Sequence, residues 1–317
     1  MDFELTPDQI DLRDGVRKLL HGRLPIDKVR ELTTVDRAVW QELADAGVFA
    51  LRVPEEVGGI GLGMAEGAIV FEEIGRSLVP GPIVGTELVA QLLPSVAWGD
   101  EVVGVAERSE APLLIEHLPS LDRLVVIDRA GVWSIAAEEI DGALIERPTD
   151  FLTPVHVVEH LPRGEQLGDG DDASRMQLEG TVLAAALLVG SAGAVTDLAV
   201  EYAKGREQFG RPIGGFQAVK HILADMAVRA SVAQVAVHAA GVTYDDPSVG
   251  DPARMAAAAK VTAGDAALRN AKAAIQVHGG MGFTWEIDAH LHLKRSWVLD
   301  TMFGGTDAHA ERLAELL

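Results

Sequence analysis

The 317-residue chain contains no cysteine, which excludes disulfides, thiolate metal sites, iron–sulfur clusters and cysteine nucleophiles; any chemistry must run on carboxylate, imidazole, hydroxyl or a cofactor. Positive charge is scarce. The 27 Lys and Arg stand against 48 Asp and Glu, a formal charge of −21 that opposes a phosphate backbone and argues against a nucleic-acid partner. Long apolar runs are missing too: the longest, Val182–Val195, is broken by Gly190, Ser191 and Gly193. It falls short of the roughly 20 residues that span a bilayer, so a buried helix is expected and no membrane partner. Asp2 and Glu4 lie where a secretory signal carries positive charge, and a cytoplasmic protein is expected.

What is present divides the chain in three. Residues 1–94 read as a helical domain, in which Thr6 can cap and Pro7 can open a helix to about His21, with helical patterns recurring near 36–46, 66–78 and 84–94. The glycine-rich stretch Pro54–Gly63 is a structured loop; its spacing misses the dinucleotide fingerprint and no alternating strands and helices surround it, which excludes a Rossmann domain. Residues 95–175 change to short β-branched runs at 123–128, 131–135 and 155–159, a small β domain. From 176 to 317 the pattern is helical again. Val219, Ile222, Leu223, Met226, Ala230, Ala233 and Val237 share one apolar face, and breaks near 205–215, 245–251 and 279–282 give a four-helix bundle. The expected fold is mainly α with a small β domain between two helical ones.

Three patterns carry no chemistry. Asp169-Gly170-Asp171-Asp172 lacks EF-hand spacing and reads as a solvated turn. His278, Asp288, His290 and His292 form no His-Glu-x-x-His motif and read as surface or interface residues, so no metal is expected. Ser191 lacks the Gly-x-Ser-x-Gly elbow of a hydrolase.

Two motifs remain. Arg206-Glu207-Gln208-Phe209-Gly210-Arg211-Pro212-Ile213 joins two expected helices, and Gln276-Val277-His278-Gly279-Gly280-Met281-Gly282 ends a third. Either alone is ordinary helix punctuation. In this order, with Pro54-Glu55-Glu56 and Phe71-Glu72-Glu73-Ile74-Gly75-Arg76 upstream, the set resembles the acyl-CoA dehydrogenase family over nearly the whole chain. The resemblance implies flavin adenine dinucleotide (FAD) as cofactor and an acyl-CoA thioester as substrate. An arginine fork suits pyrophosphate oxygens, glutamine amides donate and accept, and paired glycines admit close approach. The positions carried over as FAD contacts are Arg206, Gln208, Phe209, Gln217, Gln276, Gly279 and Gly280, which in the family face the neighbouring subunit's flavin.

The chain also departs from that family. Family chemistry needs a carboxylate to remove the α-proton while the β-hydride passes to the flavin. Its usual place, nine residues after Arg295, is Gly304 in Met302-Phe303-Gly304-Gly305-Thr306. An alternative place, 26 residues before Arg206, is Gly180; Glu179 is one residue off and turned about 100° away, so it serves as a base only if the helix start is shifted or unwound. The Thr-Glu-Pro and Gly-Ser-Asp signatures that contact the flavin ring are missing, so the β domain reads as truncated. This pattern is similar to the short subunit of heteromeric α2β2 acyl-CoA dehydrogenases of bacterial steroid degradation. It implies FAD shared with a second acyl-CoA dehydrogenase-like chain that supplies the ring contacts and the base, a bulky steroid-derived acyl-CoA, and an electron-transferring flavoprotein as acceptor. Two rivals stand beside it: a self-sufficient homo-oligomer using Glu179, and a flavin-free structural or regulatory partner.

Overall fold

The computed structural model describes residues 5–32, 34–108 and 112–316; Met1–Glu4, which include the acids weighed against a secretory signal, lie outside them. Helix α1 (Pro7–Arg23) opens as its sequence dictates: Thr6 Oγ1 accepts from Gln9 N at 3.2 Å and Gln9 Oε1 accepts from Thr6 N at 3.1 Å, with Pro7 in the first turn. Helices α2 (Ile26–Glu31), α3 (Arg37–Asp45), α4 (Met64–Arg76) and α5 (Ile83–Ala90) complete the amino-terminal domain.

Among the described residues the middle domain holds seven strands in two sheets, more than the three runs expected. β1 (Val103–Glu107), β3 (Arg123–Asp128), β4 (Gly131–Ala136) and β7 (Glu165–Gly168) form one, with β1 parallel to β3; β2 (Leu113–Glu116), β6 (Val155–Val158) and β5 (Ala143–Leu144) form the other. The strands that escaped notice are short or polar. β3 was plain because Leu124 to Ile127 are buried on both faces, which makes an unbroken apolar run.

Among the described residues the carboxy-terminal part has five helices rather than four: α6 (Gly170–Gly205), α7 (Gln217–Asp245), α8 (Pro252–His278), α9 (Ala289–Thr301) and α10 (Thr306–Glu315). The extra break falls at Gly304 and Gly305. α6 also begins ahead of position 176, because Asp169 is its cap: Oδ1 accepts from Asp171 N at 2.9 Å and Asp172 N at 3.1 Å. The acidic run is therefore a helix start, not a free turn. α4 lies on α6 with backbones touching. A Cβ on Gly190 would stand 1.9 Å from the Glu72 carbonyl oxygen, and one on Gly75 would stand 2.1 Å from that of Leu187. Asp245, at the end of α7, accepts from Met64 N and Ala65 N at 2.8 and 2.9 Å and so ties the bundle to the start of α4.

By length and hydropathy both α6 and α7 could cross a bilayer. In α6 that apolarity is core, since its most apolar window is 78% buried within the protein; in α7 the corresponding window is only 17% buried. The outer face of α7 therefore carries apolar side chains with nothing of this chain over them.

Candidate cofactor surface and the emptied base positions

The two motifs separated by about 70 residues meet at one end of the bundle. Tyr202 on α6 stacks on His278 on α8 at 4.1 Å between ring centroids, and His278 Nδ1 donates to Ala274 O at 2.7 Å. The hairpin formed by β8 (Glu207–Gln208) and β9 (Arg211–Pro212) grows directly from the end of α6, and Ile213 N donates to Arg206 O at 2.7 Å to close it. Its two-residue turn, Phe209–Gly210, has φ of 54° and 78°, both left-handed, the geometry that matches strand twist in tight hairpins. Asn or Gly normally fills the first of these places; a phenylalanine there costs about 1–2 kcal/mol. Its ring is nonetheless 92% exposed. A strained, solvent-facing phenyl contributes nothing to this chain's own core, which points to a contact made with something else.

Arg206, Gln208, Gln217 and Gln276 are all exposed, and among the described residues Arg206 makes no ion pair. Gly279, in left-handed conformation at the end of α8, and Gly280 are also exposed, and a Cβ on either would meet nothing within 4 Å. The seven residues carried over as flavin contacts thus lie on open surface as polar side chains, a bare aromatic ring and an open glycine shelf, with Gln208 Nε2 donating to Glu207 O at 2.7 Å. These groups fit the diphosphate and adenosine portion of FAD; they form one wall and no enclosed pocket.

The positions where the reaction's carboxylate would sit are closed. A Cβ on Gly180 would stand 2.5 Å from the Phe303 ring. Gly304 has φ of 90°, and a Cβ on it would stand 3.0 Å from His309 Nε2, which donates to Phe303 O at 2.8 Å. The turn is clamped from behind by Lys260, fully buried on α8, whose Nζ donates to the carbonyls of Met302 at 2.5 Å and Gly304 at 2.9 Å. Burial pushes the Lys260 amine down to about 8, with Asp300 and Glu107 opposing.

Glu179 is also inside, 2% exposed, and its oxygens are occupied. Arg52 Nη2 donates to Oε2 at 2.9 Å, Arg175 Nη1 reaches Oε1 at 3.4 Å, and the Tyr244 hydroxyl donates to Oε1. Arg52 also forks onto Glu87, Nε to Oε1 at 2.6 Å and Nη2 to Oε2 at 2.9 Å. Burial raises the Glu87 carboxyl, against the pull of Arg52; burial works against the Arg52 charge, but Glu87 and Glu179 outweigh it and raise its pKa. Arg175 also donates to Asp172 at 2.9 Å at the partly exposed edge of the cluster, so two cations are answered by three anions. Its members could have been suspected from charges interrupting apolar stretches, Arg52 in Val48–Val53 and Glu87 in Ile83–Ala90.

Two of the histidines expected at the surface are core residues. His278 and His292 are 4% and 5% exposed, and burial pushes His292 down to about 3, with Arg295 and Arg76 adding to it. Ser191 Oγ lies 3.0 Å from His292 Nδ1 and 3.3 Å from Ser296 Oγ, a sealed network that satisfies polar groups between α6 and α9 and offers a substrate no access. Among the described residues no group of three or more His, Asp or Glu side chains is placed to hold a metal ion.

Comparison with known proteins agrees with this geometry. The chain matches the acyl-CoA dehydrogenase N-terminal domain over residues 6–102 and the acyl-CoA dehydrogenase C-terminal domain over residues 172–317. It belongs to the acyl-CoA dehydrogenase family, an oxidoreductase family. It is 36% identical over 308 residues to acyl-CoA dehydrogenase FadE34 of Mycobacterium tuberculosis, covering 88% of this chain and 42% of that one, so the chain spans less than half of this relative's length. With acyl-CoA dehydrogenase IpdE2 of the same organism it is 34% identical over 297 residues, covering 90% of this chain and 89% of the relative. Two solved structures share the fold with TM-scores of 0.86. The ChsE4–ChsE5 complex from Mycobacterium tuberculosis is 24% identical over 99% of this chain and 98% of that one, and the Tcur3481–Tcur3483 steroid ACAD is 23% identical over 98% and 97%. The segment between the two matched domains, 103–171, holds strands β1 to β7.

Proposed function

We propose that this chain is one subunit of a heteromeric FAD-dependent acyl-CoA dehydrogenase, completing the adenine and pyrophosphate side of a flavin whose ring contacts and catalytic base belong to a second acyl-CoA dehydrogenase-like chain. The observation that carries the reading is the pairing of a closed base site with an open cofactor surface. A side chain at Gly180 would run into the Phe303 ring and one at Gly304 would sit on a left-handed backbone and crowd His309, while Arg206, Gln208, Phe209, Gln217, Gln276, Gly279 and Gly280 face outward. Bound FAD supplies the hydride acceptor. This chain's residues bind and orient it: Arg206 answers phosphate charge, the glutamines answer polar edges, and Phe209 covers an apolar face. Glu179, tied to Arg52, Arg175 and Tyr244, has a structural role in this reading.

The outer face of α7 supports the assembly. Val228, Val232 and Val235 are 62%, 56% and 53% exposed and recur at the four- and seven-residue spacing of one stripe, which Gln217 begins three turns earlier. An apolar stripe continuous with the cofactor surface is what an α2β2 interface would cover. The acyl group is a bulky, steroid-derived CoA thioester and the acceptor an electron-transferring flavoprotein, both following from the resemblance to heteromeric steroid enzymes.

The test is purification of the chain alone and with its partner, captured from the native host through an affinity tag on this chain. The expected result is no flavin and no turnover alone, and one flavin per pair of unlike chains in the complex, with acyl-CoA bleaching that flavin. A yellow, active lone chain would return the base to Glu179; a colourless complex would make the chain a structural partner.

A further inference from the structure

We infer that Arg211, which the resemblance does not single out, is a second cationic contact for the cofactor's diphosphate; the inference rests on the reading of this surface as a flavin half-site. In the hairpin register Gln208 pairs with Arg211 and Glu207 with Pro212, and Arg206 stands opposite Ile213. Side chains alternate along a strand and directly paired residues share a face, so Arg206, Gln208 and Arg211 project to one side and Glu207 to the other. The Glu207 carboxylate is thereby kept off the cationic face. Between positions 204 and 220 four cations meet one acid, in a chain where acids outnumber bases 48 to 27, so the local sign is inverted where the cofactor surface lies.

Arg211 is also held. Its guanidinium lies 4.1 Å from the centroid of the Phe216 ring, which in turn meets Phe209 edge-on at 6.1 Å. Stacking fixes the plane of the fork while leaving its N–H edge free, and among the described residues Arg211 makes no ion pair. A flexible surface arginine loses much of a phosphate contact to ordering; a stacked one loses less. Phe216 thus acts as a positioning residue for Arg211.

The experiment measures FAD dissociation from the native complex, apoprotein titrated with FAD at 50 and 300 mM salt, for wild type, Arg206→Gln, Arg211→Gln, Arg211→Lys and Phe216→Leu. Arg206→Gln should weaken FAD about tenfold or more. Arg211→Gln should weaken it about fivefold at low salt and flatten the salt dependence, with Arg211→Lys and Phe216→Leu between it and wild type. Thermal unfolding checks that the variants fold; should Arg211→Gln fail to, Arg211→Lys and the salt series decide alone. An Arg211 series within twofold of wild type at both salts, beside a weakened Arg206→Gln, overturns the inference and leaves the half-site standing. If Arg206→Gln is also unchanged, or wild-type complex binds no FAD, the half-site reading falls and the inference with it.

Discussion

Restoring the missing carboxylate by Gly304→Glu should not restore an active site. The backbone at position 304 has φ of 90°, which costs a residue with a Cβ about 1–2 kcal/mol. The new Cβ would stand 3.0 Å from His309 Nε2, closer than that ring can tolerate without moving. A shift of a few tenths of an ångström weakens the His309 bond to Phe303 O, whose full worth is about 1 kcal/mol. The sum is a destabilisation of about 1–3 kcal/mol, seen as a lowered denaturant midpoint with unchanged slope. Gly304→Ala should show most of the loss, because backbone and contact act before any carboxylate does. In the same preparations acyl-CoA should bleach no flavin. A Gly304→Glu chain as stable as wild type that oxidises an acyl-CoA unaided would refute the argument that this turn is closed to a base.

Other perturbations follow from the same contacts. Glu179→Gln removes the carboxylate that Arg52 and Arg175 share, leaving Arg52 to Glu87 and Arg175 to Asp172, and should cost about 3 kcal/mol in denaturant titrations. Flavin content of the folded complex should hold; wild-type stability with a hundredfold loss of rate would instead mark Glu179 as the base. Gly190→Ala, whose Cβ would stand 1.9 Å from a carbonyl oxygen of α4, should lower stability by about 3 kcal/mol, and equality with wild type would mean that α4 and α6 can part freely. Acidification below about pH 6.5 should destabilise the chain, because His117 and His292 stay neutral to about 3 when folded but charge when unfolded. Glu116, pushed up to about 7 by burial, opposes one of them, so the net loss from these three is about 1.4 kcal/mol per pH unit until Glu116 would protonate unfolded as well, and steeper below; a flat profile from pH 6.5 to 4.5 refutes it. Lys260→Met should abolish a rise of about 1.4 kcal/mol per pH unit between pH 8 and 9.5, where the unfolded chain still binds the proton that folded Lys260 has lost; retention of that rise would assign it elsewhere.

The amino-terminal helices were legible because caps and breakers are local: Thr6 with Gln9 and Pro7 states a helix start regardless of what packs on it. The strands were legible only where both faces are buried, as in β3; β5 and β7 owe their existence to neighbours, which no local pattern records. Asp169 was misjudged because a capping aspartate and a solvated one are the same residue until the following helix is seen. His278 and His292 looked like surface residues because polar type suggests exposure, whereas a stack on Tyr202 and a bond to Ser191 satisfy them inside. The two flavin motifs were legible as text, yet their meeting at one end of the bundle depends on Tyr202 and His278. Arg52 and Glu87 stand out singly as charges inside apolar stretches, but their meeting with Glu179 was not legible, since the cluster draws on positions 52, 87, 172, 175 and 179.

The turn at 302–305 keeps a costly geometry with no carboxylate to present. Phe303 and Gly304 both have positive φ, and Lys260 is held so deep that its amine is depressed to about 8, a penalty of about 3 kcal/mol. A fold free to relax would discard both costs. What opposes relaxation is the end of α9: its last carbonyls need donors, and Lys260 reaches Met302 O and Gly304 O, with Leu299 O at a longer 3.4 Å. The same turn places the Phe303 ring against Gly180, filling space where neither position offers a side chain. An empty chamber at that point would cost about 24 cal/mol for each Å³ left open. The retained strain is therefore the lesser cost. On the function proposed above, it seals the position of this chain's own base while the opposite end of the bundle stays open to the shared cofactor.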